Sequence, residues 1–239
     1  MSGYLNSLVF GIYPYVALAV LILGSIIRYD REPYTWRSGS SQLLRRKQLI
    51  WGSVLFHVGV LVIFGGHLVG LLTPIRVFEA LGVSHGAKQL LAVIAGGLAG
   101  LMAIVGATLL LHRRLFDARV RATSSATDTL IIILLWMQLF LGLSTIPASL
   151  SHLDGHEMVK FMNWAQGIFT FNPEAASYVA DAAAVFKLHL FLGLTILLLF
   201  PFTRLVHMLS APVRYIWRPG YQVVRQRSRR TVGSRIAAE

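Results

Sequence analysis

The chain has 239 residues, of which 55% are hydrophobic and 13% charged, with no cysteine, a mean hydropathy of +0.64 and a formal net charge of +12. A soluble domain carries about 25% charged residues, so this composition points into a bilayer and excludes a disordered tail, a disulfide-stapled secreted domain and most soluble enzymes. The lack of cysteine also excludes iron–sulfur clusters, thiolate zinc sites and c-type haem attachment within this chain.

A membrane-crossing helix needs roughly 20 mainly apolar residues. Five stretches qualify in chain order: 5–27, 48–72, 89–111, 129–150 and 185–209. The predicted fold class is therefore all-α, an integral membrane bundle of five transmembrane helices. Residues 1–209 read as one five-span domain and 210–239 as a basic tail. The first 27 residues hold no Lys or Arg, so they lack the basic n-region of a cleaved signal peptide and read as a retained span.

Charge sets the direction of these spans. Segments 28–47 and 113–127 and the tail carry seventeen of the 22 Lys and Arg, all on one side if there are five spans. The opposite loops hold Arg76, Lys88 and Lys160, and segment 151–184 is acidic through Asp154, Glu157, Glu174 and Asp181. The positive-inside rule then predicts the N-terminus outside and the C-terminus in the cytoplasm. The tail reads as a flank drawn to anionic lipid or a docking surface for an acidic cytoplasmic partner; no nucleic acid is expected. Segment 151–184, with Trp164 and Tyr178, reads as an interfacial helix or a lid.

Ionisable side chains inside a membrane are costly and usually functional. Four of the eight histidines fall inside predicted spans: His57 and His67 on the second, His189 and His207 on the fifth. Because these spans run in opposite directions, His57 and His207 share the inner level and His67 and His189 the outer. One imidazole from each helix at each of two levels is what two six-coordinate haems need. At about 100° per residue, His189 and His207 lie on one face and His57 and His67 about 80° apart. The rises disagree, at about 15 Å on the second span against about 27 Å on the fifth, with a kink at Pro201 able to absorb part of the mismatch. The other histidines, His85, His112, His152 and His156, read as ordinary polar surface.

Alternatives to haem ligation are four hydrogen-bonded polar residues in a haem-free bundle, or a transporter's proton relay. Against a transporter, Asp128 and Asp181 lie only at or beyond span ends, and there is no pair of broken half-helices in related positions. Gly59, Gly65, Gly66 and Gly70 flank the histidines of the second span, and Gly193 follows His189 by one turn. They suit either close helix packing or a flat ring; for Gly96 and Gly100, a G-x-x-x-G, packing is expected. Arg204, three residues before His207, reads as a partner for a haem propionate or as a snorkelling side chain; Arg113 is a second propionate candidate.

Several fragments in order carry a family resemblance: Ile12-Tyr-Pro-Tyr15, Arg28-Tyr-Asp30, Tyr34-Thr-Trp-Arg37, Phe56-His57, Gly66-His67, Leu72-Thr-Pro74, Arg113-Arg-Leu-Phe116, Trp164-Ala-Gln166, Leu188-His189 and Phe200-Pro-Phe-Thr-Arg-Leu-Val-His207. The sequence resembles the gamma subunit of respiratory, membrane-bound nitrate reductase, a five-span di-haem cytochrome b that oxidises quinol. The resemblance implies two haem b groups, with His57 and His207 on the inner iron and His67 and His189 on the outer, the pairing that topology also favours. It implies menaquinol or ubiquinol oxidation near the outer haem, with Lys88 at the quinol site. Chemistry supports Lys88 too, since a cation there stabilises charge developing on a quinone oxygen, against a bland reading as an interfacial anchor.

The family also supplies partners: a cytoplasmic iron–sulfur beta subunit and a molybdenum-containing alpha subunit, in a bacterial or archaeal cytoplasmic membrane with its lipids. This chain would then contribute quinol oxidation but not nitrate reduction. The nearest redox alternative is a di-haem anchor of another quinone-linked complex, such as a heterodisulfide-reductase-like module; a haem-free transporter or anchor is a different class.

Overall fold

Five helices are long and apolar enough to cross a membrane: Gly3–Arg31, Arg46–Leu72, His85–Phe116, Ala126–Leu150 and Ala184–Phe202, here the first to fifth spans. They come from a computed structural model that describes residues 3–36, 44–151 and 154–210, among which there is no strand. Apolar runs of this length can satisfy their own N–H and C=O groups in lipid only by closing them into a helix. Polar caps mark the starts: Ser84 Oγ accepts from Ala87 N at 3.2 Å, and Ser125 Oγ from Asp128 N at 3.1 Å.

The described chain up to Met208 forms one compact unit; of the unit from Leu209 onward only Leu209 and Ser210 are described, so the expected basic tail lies outside the described residues.

Several span boundaries depart from the sequence expectation; the first span, for one, runs on to Arg31 rather than 27. The third span starts at His85 rather than 89 and ends at Phe116 rather than 111, because the helix carries polar residues past the apolar slab at both ends. The fifth does not continue to 209. Its α-helix ends at Leu199, a 3-10 turn covers Phe200–Phe202, Thr203 is extended (φ −121°, ψ 178°), and a second 3-10 run covers Arg204–Ser210. Pro201 is the cause, since it has no N–H to donate and its ring blocks the preceding turn.

The second and third spans pack closest, and small residues permit it. A Cβ on Gly59 would stand 2.5 Å from Ala99 O, and one on Gly106 only 2.3 Å from Phe56 N. Ala103 and Ala107 are fully buried beside them. With lipid as apolar as leucine, this close van der Waals contact is what holds helices together. Only half of the expected G-x-x-x-G packing occurs. Gly100 faces Leu143 on the fourth span, but Gly96 has no atom within 4 Å of a Cβ; Gly97 instead meets Ile146. Large apolar side chains such as Ile26, Leu61 and Leu98 face outward.

Residues 154–184 form a packed cap. Helix His156–Phe169 and the 3-10 turn Ala175–Val179 bury Trp164, Ile168, Ala175, Ala176 and Val179 against Phe10 and Ala17 of the first span and Leu194 of the fifth. Trp164 Nε1 donates to Phe10 O at 2.9 Å, Gln166 Nε2 to Leu71 O at 3.0 Å, and Asn6 Nδ2 to Ala176 O at 2.7 Å. Lys160 Nζ lies 2.8 Å from both Asp181 and Glu157. The hydrogen bonds to Asp181 and then Glu157 push Lys160 up to about 12, and Lys160 in turn draws Asp181 below the usual carboxylate range. The opposite, basic end gathers Arg28, Arg45, Arg113, Arg114 and Arg204, joined by Arg45–Asp117 (2.7 Å), Arg114–Asp128 (3.5 Å), Arg204–Asp128 (3.8 Å) and Arg113 Nη2 donating to Leu44 O (2.7 Å). The Asp117 carboxylate is held down first by its hydrogen bond from the backbone of Val120 and next by Arg45.

Candidate metal centre: two facing histidine pairs

The four span histidines meet in two pairs. The rings of His57 and His207 are 6.3 Å apart between centroids, and those of His67 and His189 are 6.2 Å apart, with interplanar angles of 69° and 45°. The second and fifth spans are therefore antiparallel at the depth of these residues. His207 sits on the separate run Arg204–Ser210 after the break at Pro201, so the rise of one continuous helix does not apply to it. That is a correction to the expected continuous fifth helix.

Ring nitrogens are sorted by their hydrogen bonds. Nδ1 of His57 donates to Ser53 O at 2.7 Å, Nδ1 of His67 to Ile63 O at 2.8 Å, and Nδ1 of His207 to Arg204 O. A carbonyl only accepts, so the hydrogen sits on Nδ1 and the neutral ring keeps its Nε2 lone pair for a metal. These three Nε2 atoms have no protein partner among the described residues. His189 differs. Its Nδ1 is buried without a hydrogen bond, while Gln138 Nε2 on the fourth span donates to His189 O at 3.1 Å and lies 3.4 Å from His189 Nε2. Each residue rests over the other's glycine: a Cβ on Gly142 would stand 3.0 Å from the His189 ring, and one on Gly193 would stand 3.1 Å from the Gln138 amide.

The spacing fits a haem. Two imidazoles sharing one metal at bond lengths of about 2.0 Å would have ring centres about 6 Å apart, which the separations of 6.3 and 6.2 Å match. Among the described residues no group of three or more His, Cys, Asp or Glu comes together, so each level offers two protein ligands. Such a site suits a metal that brings its own equatorial ligands. Among the described residues, Gly65, Gly66 and Gly70 have nothing within 4 Å of a Cβ, unlike Gly59 on the same span, so these three do not pack a neighbouring helix.

Lys88 is buried. It lies in the first turn of the third span, 5% exposed, with Nζ donating to Gly70 O and to Met162 Sδ, both at 2.8 Å, and 4.3 Å from the centre of the Phe78 ring. Gly70 is three residues beyond His67, so Lys88 belongs to the His67–His189 level. Arg204 is drawn towards Asp128, and its own carbonyl accepts from His207. The remaining histidines behave as polar surface: His85 pairs with Glu79 at 2.9 Å, His112 Nδ1 lies 3.3 Å from Gln48 Nε2, His156 lies 3.8 Å from Asp154, and His152 is outside the described residues. Sequence reasoning missed Gln138, Phe78 and Met162. Gln138 left a signal, a lone amide in the apolar run 130–141; Met162 and Phe78 left none, because only folding brings them to Lys88.

Fold and site together define a multi-pass helical membrane protein with two levels of paired imidazoles. A family model described as nitrate reductase gamma subunit matches residues 6–227. Over 224 residues the chain is 50% identical to the respiratory nitrate reductase 1 gamma chain of Escherichia coli (strain K12), covering 94% of this chain and 99% of that one. It is 40% identical over 231 residues to the nitrate reductase gamma chain of Bacillus subtilis (strain 168), covering 95% and 100%. It is 32% identical over 228 residues to the nitrate reductase-like protein NarX of Mycobacterium tuberculosis (strain ATCC 25618 / H37Rv), covering 93% of this chain and 34% of that longer protein. The chain belongs to the nitrate reductase gamma subunit family.

Proposed function

We propose that this chain is the quinol-oxidising cytochrome b subunit of a respiratory nitrate reductase. His57 and His207 ligate one haem b iron, His67 and His189 the other. The observation that carries the reading is the pair of ring separations, 6.3 and 6.2 Å, each set by one histidine from either side of the bundle. Each pair would hold a haem through its two imidazoles, and the bound group would supply single-electron exchange.

The protein's own groups divide the remaining work. At the cap end Lys88 binds the quinol oxygen. An ammonium has three N–H donors; Gly70 O and Met162 Sδ take two, which leaves the third for a ligand. Its charge favours the quinol as it loses protons, and the Phe78 ring and the cap hold that charge in place. By the positive-inside rule the cap end is outside, so quinol protons leave to the outside, and the basic end lies in the cytoplasm. There the basic loops and the 210–239 tail dock the iron–sulfur beta subunit, which passes electrons to the molybdenum-containing alpha subunit. Arg204 stands beside the His207 level, where a propionate would share it with Asp128. The membrane is the bacterial or archaeal cytoplasmic membrane, and the quinol is menaquinol or ubiquinol.

The test is a reduced-minus-oxidised spectrum of the purified complex after adding a quinol analogue. Two b-type haems per chain reduced by quinol are expected; a folded, cofactor-replete complex without haem in this subunit would overturn the reading.

A further inference from the structure

The basic end faces a local problem that the cap end does not. His207 is presented by a 3-10 run after a break: Pro201 has no N–H, Thr203 is extended, and Leu205 N, four residues after Pro201, turns to Thr203 Oγ1 at 3.3 Å rather than to the Pro201 carbonyl. Arg28 on the first span meets both Pro201 and Thr203. Its Nη1 donates to Pro201 O at 2.7 Å and to Thr203 O at 2.9 Å. The rest of the guanidinium is anchored on the turn that follows its own span, with Nη2 donating to Thr35 O at 2.9 Å and Nε to Thr35 Oγ1 at 3.2 Å. Thr35 Oγ1 donates onward to Glu32 O at 2.9 Å. One helical turn before Arg28, Gly24 makes room for the break, since a Cβ there would stand 2.8 Å from Pro201 Cγ.

The carbonyl next along the chain after Thr203 is that of Arg204, which accepts from His207 Nδ1. A guanidinium that fixes Thr203 O therefore fixes, one peptide later, the acceptor that orients the His207 ring. Hydrogen bonds to a charged group are the strong ones, and the planar fork of arginine reaches two carbonyls and a threonine at once. Lysine's ammonium could serve the two carbonyls that Nη1 alone serves, but it has no further nitrogen for the Thr35 turn.

We propose that Arg28 is the positioning residue of the His57–His207 level, its guanidinium holding the 201–207 turn that aims His207 at His57. This rests on the haem reading above, with Arg28 acting through His207 and not as a ligand. It predicts that damage at Arg28 is felt at one haem only.

The experiment uses the complete complex carrying Arg28→Met or Arg28→Lys, with each haem followed by redox titration of its absorption band and by its low-spin electron paramagnetic resonance signal. In R28M one haem is expected to be lost, or to shift in potential and signal, while the other titrates as in the parent; R28K should fall between. Amide hydrogen exchange over 203–207 in haem-depleted protein should rise about tenfold or more, the equivalent of one lost charged hydrogen bond. Two unchanged haems in R28M, or two equally altered ones, would overturn the proposal. If R28M does not assemble, R28K is judged by the same criterion. A parent complex with no haem contradicts the functional reading instead, and the exchange measurement then decides the Arg28 contacts alone.

Discussion

The two ends of the bundle solve the same task with different materials. At the cap end both histidines ride on regular helices, and the environment is built around them by a docked helix, a buried lysine and three glycines with nothing beside them. At the basic end one histidine is carried by a broken segment, and arginines tie that segment back to the bundle through carbonyls and Asp128. A regular helix needs no external help to place a side chain. A break does, because the chain that follows it is no longer held in line by the helix ladder. The cap end thus places its histidine level with regular helices, and the basic end ties its level back with arginines.

That contrast orders the expected effects. The largest follow removal of a ligand: His189→Ala should delete one haem per chain and abolish quinol-driven reduction, and His57→Ala should delete the other, each read by haem content and spectrum. Next is Lys88→Ala, expected to slow quinol oxidation by about 10- to 100-fold, the worth of one hydrogen bond to a charged group, with both haems retained. Unchanged quinol kinetics in that variant would remove Lys88 from the site.

Packing changes separate the ends further. Gly106→Ala forces a methyl into the backbone of Phe56 next to His57, and should lower stability by about 1–3 kcal/mol and disturb the basic-end haem first. Gly70→Ala meets no protein atom and should leave fold stability unchanged, so any loss there reports on a ligand. Gln138→Leu removes the bond to His189 O and should lower stability by about 1 kcal/mol in a melting experiment.

The smallest effect belongs to the exposed cap pair: Asp181→Asn should cost under about 1 kcal/mol in stability. Its sign with pH follows from the shifts. Asp181 is lowered, so its contribution is present above the ordinary carboxylate value of 3.8 and fades as pH falls below it; Lys160 is raised, so its contribution holds below 10.5 and fades as pH climbs toward about 12. Parent and variant should differ between these limits and converge outside them.

The sequence disclosed the spans and the four ligand candidates because both depend on local rules, apolar length for the one and the rarity of imidazole at membrane depth for the other. The pairing of His57 with His207 was also readable, from helix direction alone. The shape of the fifth span was not. Pro201 announced a kink, but a full stop with Thr203 extended depends on Gly24 and Arg28, which are more than 170 positions away in sequence. The Lys88 surroundings were hidden for the same reason: Phe78 and Met162 come from different connections and meet only in the folded chain. Gly96 misled because G-x-x-x-G gives a spacing without saying which face the neighbour takes, and the neighbour lies under Gly97 and Gly100.

The central claim is that each facing pair holds one iron. An anomalous-scattering map of the complex recorded at the iron edge tests it most directly. The account predicts two iron peaks within this subunit, one between His57 and His207 and one between His67 and His189. A single peak, or iron bridging any other pair of histidines, would contradict it.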